Sequence, residues 1–264
     1  MILLTIGYST LFDRLQNIQL PELRGDREIL VIVQGTPTEA RDIYDNETPH
    51  DVPEHLQRSD VRVIWLDTRG VAKSRNEAIR QARGKYLIFA DDDITFFEDG
   101  LAAALAHFEA NPGTAFILGA AVDELGRRRK NYPTEVTELT KFNSAKAATY
   151  EMLVRVDESR CAGVFFDEEF GAGVQNYLGD EYIFICDLID KKLKCEFLPV
   201  VLAQHPADSS GSAWGTERDV VARAEIFTRV FGEGPAVFIR AAFAMRNLKR
   251  IRNPRLLFKF IFNK

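Results

Sequence analysis

The sequence has few cysteines and no long hydrophobic run. Its three cysteines, Cys161, Cys186 and Cys195, show no CxxC spacing and cannot all pair with one another, which argues against a disulfide scaffold and against a cysteine-rich metal site. No apolar run approaches the roughly 20 residues that a helix needs to cross a bilayer. The first residues, MILLTIGYST, include no basic segment of the kind that opens a signal peptide. We therefore expect a cytoplasmic protein, either free or peripheral on the inner face of the cell membrane.

The sequence also lacks a positive net charge. Its 264 residues carry a formal net charge of −5, with an isoelectric point near 5.5, so we expect no nucleic-acid partner. Hydrophobic residues are abundant, at 46% with 19 phenylalanines. This composition provides enough apolar surface for one large α/β domain, or for a domain with a tail.

Short apolar runs alternate with helical patterns in the N-terminal half. Runs at 2–6, 28–34, 61–67, 86–90 and 114–122 predict strands, and the patterns at 71–82 and 98–111 predict helices. Strands that are almost continuously apolar are typical of a mostly parallel sheet covered by helices on both faces. In such sheets, ligands bind beyond the carboxyl ends of the strands.

Three consecutive carboxylates follow one of these predicted strands. Asp91, Asp92 and Asp93 come directly after YLIFA (86–90), so a central strand would bring them to the mouth of a cleft. Burying even one such charge without a partner costs about several kcal/mol. A divalent cation would neutralise them, because Mg²⁺ and Mn²⁺ prefer carboxylate oxygens and bind together with substrate phosphates. The triplet alone leaves a solvated acidic turn as the alternative.

The residues around the triplet form a wider pattern. Gly70 precedes RNEA (75–78), which is followed by ARGKY (82–86), an apolar strand and the three aspartates. In order and spacing this stretch resembles the family 2 glycosyltransferases, which have a GT-A fold and carry a DxD motif. The resemblance extends over roughly residues 1–210 and is strongest from 67 to 95. It implies an α/β fold with a mostly parallel central sheet flanked by helices and a nucleotide-binding half resembling a Rossmann fold.

The resemblance implies a metal site of Mn²⁺ or Mg²⁺ at the DxD motif. Asp93 would be the main ligand, and Asp91 would bind the ribose or reach the metal through water, with Asp92 able to do either. His205 follows an apolar run that ends at 203. In such enzymes a histidine after the acidic pair often completes the metal site, although an isolated histidine is more often structural or merely exposed.

The resemblance also implies a nucleotide pocket at the ends of the first strands. The family often has an aspartate where this sequence has Gln34, whose amide can both donate to and accept from a base edge, so uracil or thymine suits it. Basic residues before the triplet would approach the diphosphate or the carboxylates, unless they form an exposed helical face. Asp67 would contact the base or cap a strand end. The expected donor-binding residues are Thr5, Ile6, Tyr8, Gln34, Asp67, Gly70, Lys73, Arg75, Asp91 and Asp92.

A second acidic group lies near residue 180. The sequence FDEEFGAG (166–173) followed by Gly179, Asp180 and Glu181 resembles the family pattern FDxxFGxG…GED, in which the acidic pair supplies the general base. The order of the pair is reversed here. Its position in the motif favours Glu181 as the base, with Asp180 as the alternative. Acidic residues that only stabilise a helix N-terminus would give the same sequence.

The C-terminal part is basic and rich in aromatic residues. The segment 235–264 has eight arginines and lysines and no acidic residue, which fits contact with an anionic membrane surface. A solvated basic face or a partner-binding tail is the alternative. The basic cluster GRRRK (126–130) would join the same surface or form an exposed turn. Before this tail, the loop 208–214 would close over donor or acceptor, and Trp214 would stack on a sugar or plug the core.

The resemblance implies a metal-dependent, inverting glycosyltransferase. It would move a sugar from a UDP-linked donor to a hydroxyl of a glycan or lipid-linked acceptor in surface polysaccharide synthesis. A nucleotidyltransferase fits poorly, since the first strand has no glycine-rich, lysine-containing loop. A non-catalytic nucleotide-sugar-binding scaffold stays open. The predicted organisation is a GT-A domain at 1–214, with a donor half (1–122) and an acceptor half (123–214), and a helical extension at 215–264.

Overall fold

The computed structural model describes residues 2–35, 52–206, 216–248 and 253–263. Within these ranges the chain forms a nine-stranded mixed sheet flanked by helices. The strands are β1 Leu4–Leu11, β2 Arg27–Gln34, β3 Val61–Trp65, β4 Tyr86–Asp91, β5 Thr95–Phe96, β6 Thr114–Val122, β7 Thr137–Glu138, β8 Met152–Arg155 and β9 Lys194–Gln204. The helices are α1 Val71–Gln81, α2 Glu98–Ala110, α3 Val156–Ala162, α4 Asp180–Asp190, α5 Glu217–Phe231, α6 Glu233–Arg246 and α7 Pro254–Phe262.

The sheet combines a parallel half with a mixed half. Its strand order is β3-β2-β1-β4-β8-β6-β9-β5, with β7 paired to β9. The strands β3, β2, β1 and β4 are all parallel, so their carboxyl ends meet at one edge. β8 is antiparallel to both β4 and β6, whereas β6 and β9 are parallel. The predicted α/β fold class is confirmed, and the described parallel pairings concentrate in the first four strands.

Both faces of the sheet are buried, because apolar side chains on each strand alternate between two cores. In β4, Ile88 and Ala90 point into a core beneath α2, whereas Leu87 and Phe89 point into a core beneath α1 and α4. β2 divides its side chains in the same way. This two-sided burial explains why these strands appear in the sequence as unbroken hydrophobic runs.

The first strand is longer than the sequence predicted. We expected it at 2–6, but β1 continues to Leu11, where it pairs with Gln34 of β2. The polar residues Ser9 and Thr10 lie inside the strand, where Ser9 pairs with Asp91 of β4 and Thr10 pairs with Val33 of β2. The carboxyl end of β1 is therefore five residues further along the chain than the hydrophobic pattern indicated.

Three C-terminal helices pack against one another and against the sheet-bearing part of the chain. Ile226 and Val230 of α5 join Phe170 and residues of α4 in one apolar cluster. A second cluster, formed around Phe260 of α7, ties α5, α6 and α7 together. No helix in the described ranges has both the length and the hydropathy needed to span a membrane.

Candidate active site

The carboxyl ends of the parallel strands bring most of the predicted site residues to one edge. Asp91 is the last residue of β4 and pairs in register with Ser9 of β1. Gln34 ends β2, and α1 begins at Val71 on the same side after the β3 loop. These residues therefore lie where the sequence predicted them, at the edge beyond the carboxyl ends of the parallel strands. Ligands bind at this edge in parallel sheets.

The three aspartates of the triplet have three different environments. Asp92 is buried, where it accepts a hydrogen bond from Thr10 Oγ1 (2.7 Å) and pairs closely with Arg14. Asp91 lies 3.5 Å from Arg75 Nη2. Asp93 is the most exposed of the three and has Arg14 Nη2 at 3.9 Å. Burial raises the pKa of Asp91 and the pKa of Asp92 above their ordinary value. Asp92 thus stabilises the turn, while the side chains of Asp91 and Asp93 are partly exposed at the edge of the sheet.

Arg75 joins the triplet to the second acidic group. Its guanidinium, almost fully buried, pairs closely with Asp180 and lies 3.5 Å from Glu181 Oε1. It also lies over the Phe166 ring, 5.6 Å from the centroid. Burial opposes the charge of Arg75, but Asp180, Glu181 and Asp91 outweigh that cost and raise its pKa above the usual range. Two motifs that are about 90 residues apart in sequence therefore share one cation.

The two carboxylates of the pair Asp180–Glu181 differ in access and charge. Burial and the neighbouring Glu181 raise the pKa of Asp180. Burial also opposes ionisation of Glu181, but Arg75 and the Thr149 hydroxyl outweigh it and lower the pKa of Glu181. The Asp180 side chain is 5% exposed, whereas that of Glu181 is 23% exposed. Glu181 is therefore the more accessible carboxylate of the pair, and the one whose pKa favours the ionised form.

A short 3₁₀ turn, Thr149–Glu151, was not predicted as part of the site, yet it touches both halves of it. Thr149 Oγ1 donates to Glu181 Oε1 (2.7 Å), and the Tyr150 ring stacks on His205 with centroids 4.7 Å apart. Glu151, fully buried, anchors the turn by accepting from Lys130 Nζ (2.7 Å) and Tyr132 OH (2.6 Å). The sequence gives no signal for this turn, because its residues reach the site through tertiary packing rather than through a motif.

His205, which the sequence predicted as a metal ligand, lies beside Asp93. Its Nδ1 lies 2.6 Å from the carbonyl oxygen of Pro206, which can only accept, so Nδ1 carries the proton. In the neutral ring Nε2 is then an acceptor, and it faces Asp93 Oδ1 at 3.8 Å. Two acceptors that face each other fit a cation between them, and a backbone bond on the other ring nitrogen is usual for metal-binding histidines. In the described ranges no three His, Cys, Asp or Glu side chains group into a complete site.

The predicted donor-binding residues at this edge include residues of α1 and of the end of β2. Gly70 N donates to Gln34 Oε1 (2.9 Å), which orients the amide and leaves its Nε2 as a donor. Lys73 is half-buried in the first turn of α1 and forms no ion pair with a described side chain. Asp67 is exposed, two residues beyond β3.

Three of the predicted donor-binding residues are not brought to this edge. Ile6 and Tyr8 are buried in the core beneath α2. Thr5 lies at the other end of β1, where its hydroxyl donates to Glu28 Oε1 (2.8 Å) and accepts from Gly84 N. We expected these three residues at the carboxyl end of the first strand. They lie before that end, because β1 continues to Leu11. Trp214 and the loop 208–214 lie outside the described residues.

Comparisons with known proteins are consistent with this geometry. Residues 12–169 match the family described as Glycosyl transferase family 2. Similar solved structures include S. aureus TarS 1–349 with UDP (17% identity over 94% of this chain and 72% of that chain, TM-score 0.58) and with UDP-GlcNAc (18%, 96% and 74%, 0.59). Another is the mannosyltransferase PcManGT from Pyrobaculum calidifontis with GDP-Man and Mn²⁺ (15%, 98% and 68%, 0.50). A comparison with curated proteins gives no match.

Proposed function

The chain belongs to glycosyl transferase family 2, and on that premise we propose that it is a metal-dependent, inverting enzyme acting on a nucleoside diphosphate sugar. One observation carries the proposal. Arg75 links Asp91, at the end of β4, to Asp180 and Glu181, at the start of α4. A donor diphosphate beside the triplet and an acceptor hydroxyl beside Glu181 would then lie on either side of the Arg75 guanidinium.

Glu181 is the proposed general base. The acceptor hydroxyl gives its proton to the Glu181 carboxylate while its oxygen attacks the anomeric carbon. The bond from that carbon to the diphosphate oxygen breaks, and the nucleoside diphosphate leaves with the bonding electrons. Attack from the side opposite the leaving group inverts the configuration. Asp180 keeps Arg75 in place, since it is buried against the guanidinium.

Asp93 and His205 are the proposed protein ligands of a divalent cation, with Asp91 near enough to contribute through water. The remaining ligands would be diphosphate oxygens and water, which is usual for Mg²⁺ and Mn²⁺ bound together with substrate phosphates. A bound cation would offset the negative charge that develops on the leaving diphosphate. PcManGT, which is similar in fold, was solved with Mn²⁺ and GDP-Man. Lys73 is the proposed second cation near the diphosphate.

The donor we propose is UDP-linked. Gln34 offers its Nε2 as a donor, which suits a carbonyl oxygen of uracil, and the TarS structures contain UDP or UDP-GlcNAc. The proposed acceptor is a hydroxyl of a glycan or lipid-linked glycan of a surface polysaccharide, the class that the family resemblance implies.

Release of nucleoside diphosphate from a panel of UDP- and GDP-sugars tests the proposal. We expect turnover of a UDP-sugar with Mn²⁺ and none with EDTA. Asp93→Asn should abolish it, whereas Asp157→Asn, a matched change at an exposed position of α3, should not. Glu181→Gln should retain donor binding in calorimetry and lose about 100-fold or more in turnover, the usual contribution of a general base.

Other outcomes separate the alternatives. Donor binding without turnover, on any acceptor offered, would support the non-catalytic scaffold instead. Turnover that EDTA does not affect would remove the metal from the proposal but keep the transferase. If Asp180→Asn were more damaging to turnover than Glu181→Gln while leaving the fold intact, the roles of the two carboxylates would be exchanged.

A further inference from the structure

Helix α6 presents an apolar stripe to solvent in addition to its packed face. Pro235, Phe238, Ala242 and Met245 are exposed, and their spacing of three, four and three residues places them on one face. Phe238 is 78% exposed and Met245 is 68% exposed. The opposite face, with Ala236, Arg240 and Ala244, is buried against the neighbouring helices. Helix α6 is therefore apolar on both faces, and its outer face has no partner among the described residues.

Helix α7 repeats the arrangement on a smaller scale. Its Phe260 is fully buried in the cluster that joins the three C-terminal helices. Phe258 and Phe262 lie on the outer face, 58% and 45% exposed, and their rings are 4.6 Å apart. Large exposed aromatic side chains are uncommon on a protein surface that stays in water.

The charge of the segment 235–264 is of one sign, while Glu233 opens α6 just before it and Glu217 of α5 lies beside Lys259. Arg246 of α6 and Arg255 of α7 are exposed. The sequence between the helices adds Lys249, Arg250 and Arg252, and residues 235–264 include no acidic residue although the chain carries −5 overall. Not every basic residue of the segment is available: Arg240 is buried and donates to Ile261 O (2.9 Å) and Thr228 Oγ1 (2.5 Å). Lys259 pairs with Glu217.

From these observations we propose that the outer faces of α6 and α7 bind the surface of an anionic lipid bilayer. Phe238, Met245, Phe258 and Phe262 enter the interface between headgroups and acyl chains. Arg246 and Arg255 contact the anionic headgroups. Charge decides between this occupant and a second copy of the chain, because pairing two copies through these faces would bring two strongly basic segments together. Amphipathic helices with aromatic and basic residues bind membranes in this way.

Vesicle sedimentation with the full-length protein tests the proposal. We expect binding to phosphatidylcholine vesicles that contain phosphatidylglycerol, little binding to pure phosphatidylcholine, and weaker binding at high salt. The double variant Phe238→Ser/Met245→Ser should reduce the partition coefficient about 10-fold or more. Leu125→Ser removes an apolar side chain of similar exposure (73%) elsewhere and should leave binding unchanged.

A second pair of double variants tests whether vesicle binding depends on the arginines of α6 and α7 or on positive charge elsewhere on the protein. Arg246→Gln/Arg255→Gln should weaken binding to the anionic vesicles, whereas Arg127→Gln/Arg128→Gln, at the two exposed arginines of GRRRK (126–130), should not. An equal loss in both pairs, or equal binding to neutral and anionic vesicles, would overturn the assignment. So would a dimer in light scattering that Phe238→Ser/Met245→Ser converts to monomer. Because all these side chains lie outside the candidate active site, nucleoside diphosphate release should be the same in every variant, so a failed vesicle test leaves the proposed function standing.

Discussion

Arg75 explains how the chain can place several carboxylates at one edge of the sheet. Three acidic side chains, Asp91, Asp180 and Glu181, surround its guanidinium, and Arg14 neutralises Asp92 from the other side. Burying each of these carboxylates alone would be costly. A forked, permanently charged group suits the position, since lysine would offer one charge centre and no fork. Among the described residues, Asp93 has no cation this close, since Arg14 Nη2 is 3.9 Å away, which is why we propose it as the metal ligand.

Thr149 provides the sharpest test of how Glu181 is held. Replacing it by valine keeps the shape of the side chain but removes the hydroxyl that donates to Glu181 Oε1 (2.7 Å). The bond holds the Glu181 carboxylate in one position, and misplacing a reacting group by about 1 Å can cost roughly 100-fold, so we expect turnover to fall roughly 10- to 100-fold. Measured by calorimetry, the donor dissociation constant should stay the same.

The conservative variant is the control for this prediction. Thr149→Ser keeps the hydroxyl and should keep most of the turnover. If serine and valine lowered turnover equally, the effect would come from packing of the 3₁₀ turn Thr149–Glu151 rather than from its bond to the base.

Sequence reasoning at this scale was limited to residues that belong to motifs. The resemblance drew attention to Asp91, Arg75 and Glu181, and the structure brings them together. Thr149, Tyr150 and Arg14 could not be found in this way, because they belong to no motif and contact the site only after distant strands have paired. Ile6 and Tyr8 were assigned to the site because the first strand was expected to end at residue 6. That strand end was wrong, so the structure places both residues in the core instead.

At the scale of elements, β9 supports the sheet and also receives the start of α2. Phe97 N donates to Leu202 O (2.9 Å) just before α2 begins. Gly100 lies so close to β9 that a Cβ atom there would be 1.9 Å from Val201 O. The glycine is therefore needed for close packing of a helix on a strand, rather than for an unusual backbone angle.

Gly100→Ala should lower the free energy of unfolding. Alanine favours a helix by about 0.5–1 kcal/mol over glycine, but the clash with backbone on β9 should cost about 1–3 kcal/mol or more. Urea unfolding followed by circular dichroism measures the net change. Gly234→Ala in α6, where nothing lies within 4 Å of the added atom, is the matched control and should not destabilise the protein. Equal stability of the two variants would contradict the packing argument.

Glu196 of β9 links three elements and should make stability depend on pH. Burial opposes its ionisation, but Thr114 on β6, Lys194 on β9 and His107 on α2 outweigh burial and lower the pKa of Glu196 from 4.5 to about 2. A carboxyl group whose pKa is lower in the folded state stabilises the fold above its unfolded pKa. That contribution is lost as the pH falls from about 4.5 towards 2.

Unfolding free energies of wild type and Glu196→Gln should therefore differ most above pH 5 and converge in acid. Glu158→Gln removes the same charge from an exposed position in α3 and is the matched control, which should change the unfolding free energy little. If the unfolding free energies of wild type and Glu196→Gln differed by the same amount from pH 7 to pH 3, the contribution of this side chain would not depend on its charge.

Hydrophobic pattern alone located these elements well but not their pairing. The strands at β2, β4 and β6 and the helices α1 and α2 agree with the predicted segments to within a residue or two, because each is a long run with a clear period. The short strands β5, β7 and β8 were not predicted. Each has two to four residues, so each is defined by its partner strand rather than by its own composition.

At the scale of the whole molecule, the C-terminal helices are less separate than a division at 214 suggests. Ile226 and Val230 of α5 fill an apolar surface of α4, the helix that begins with Asp180 and Glu181. Arg229 adds ion pairs to Asp167 (2.7 Å) and Asp187 (2.8 Å). The division into a transferase domain and an extension stays a prediction, and these contacts argue that the extension stabilises the site.

Two truncations measure that contribution. Ending the chain at residue 215 removes α5, α6 and α7 and exposes Phe170, Tyr182 and Ile183, whereas ending it at 248 removes only α7 and keeps the contact between α5 and α4. Losing two buried aliphatic side chains at about 1.5–3 kcal/mol each should lower the melting temperature by roughly 10 °C or more in the shorter chain. The longer one should melt closer to the full chain and still bind donor. If the chain ending at 215 melted at the temperature of the full-length protein, the extension would be an independent unit, and the contacts between α4 and α5 would contribute no net stability.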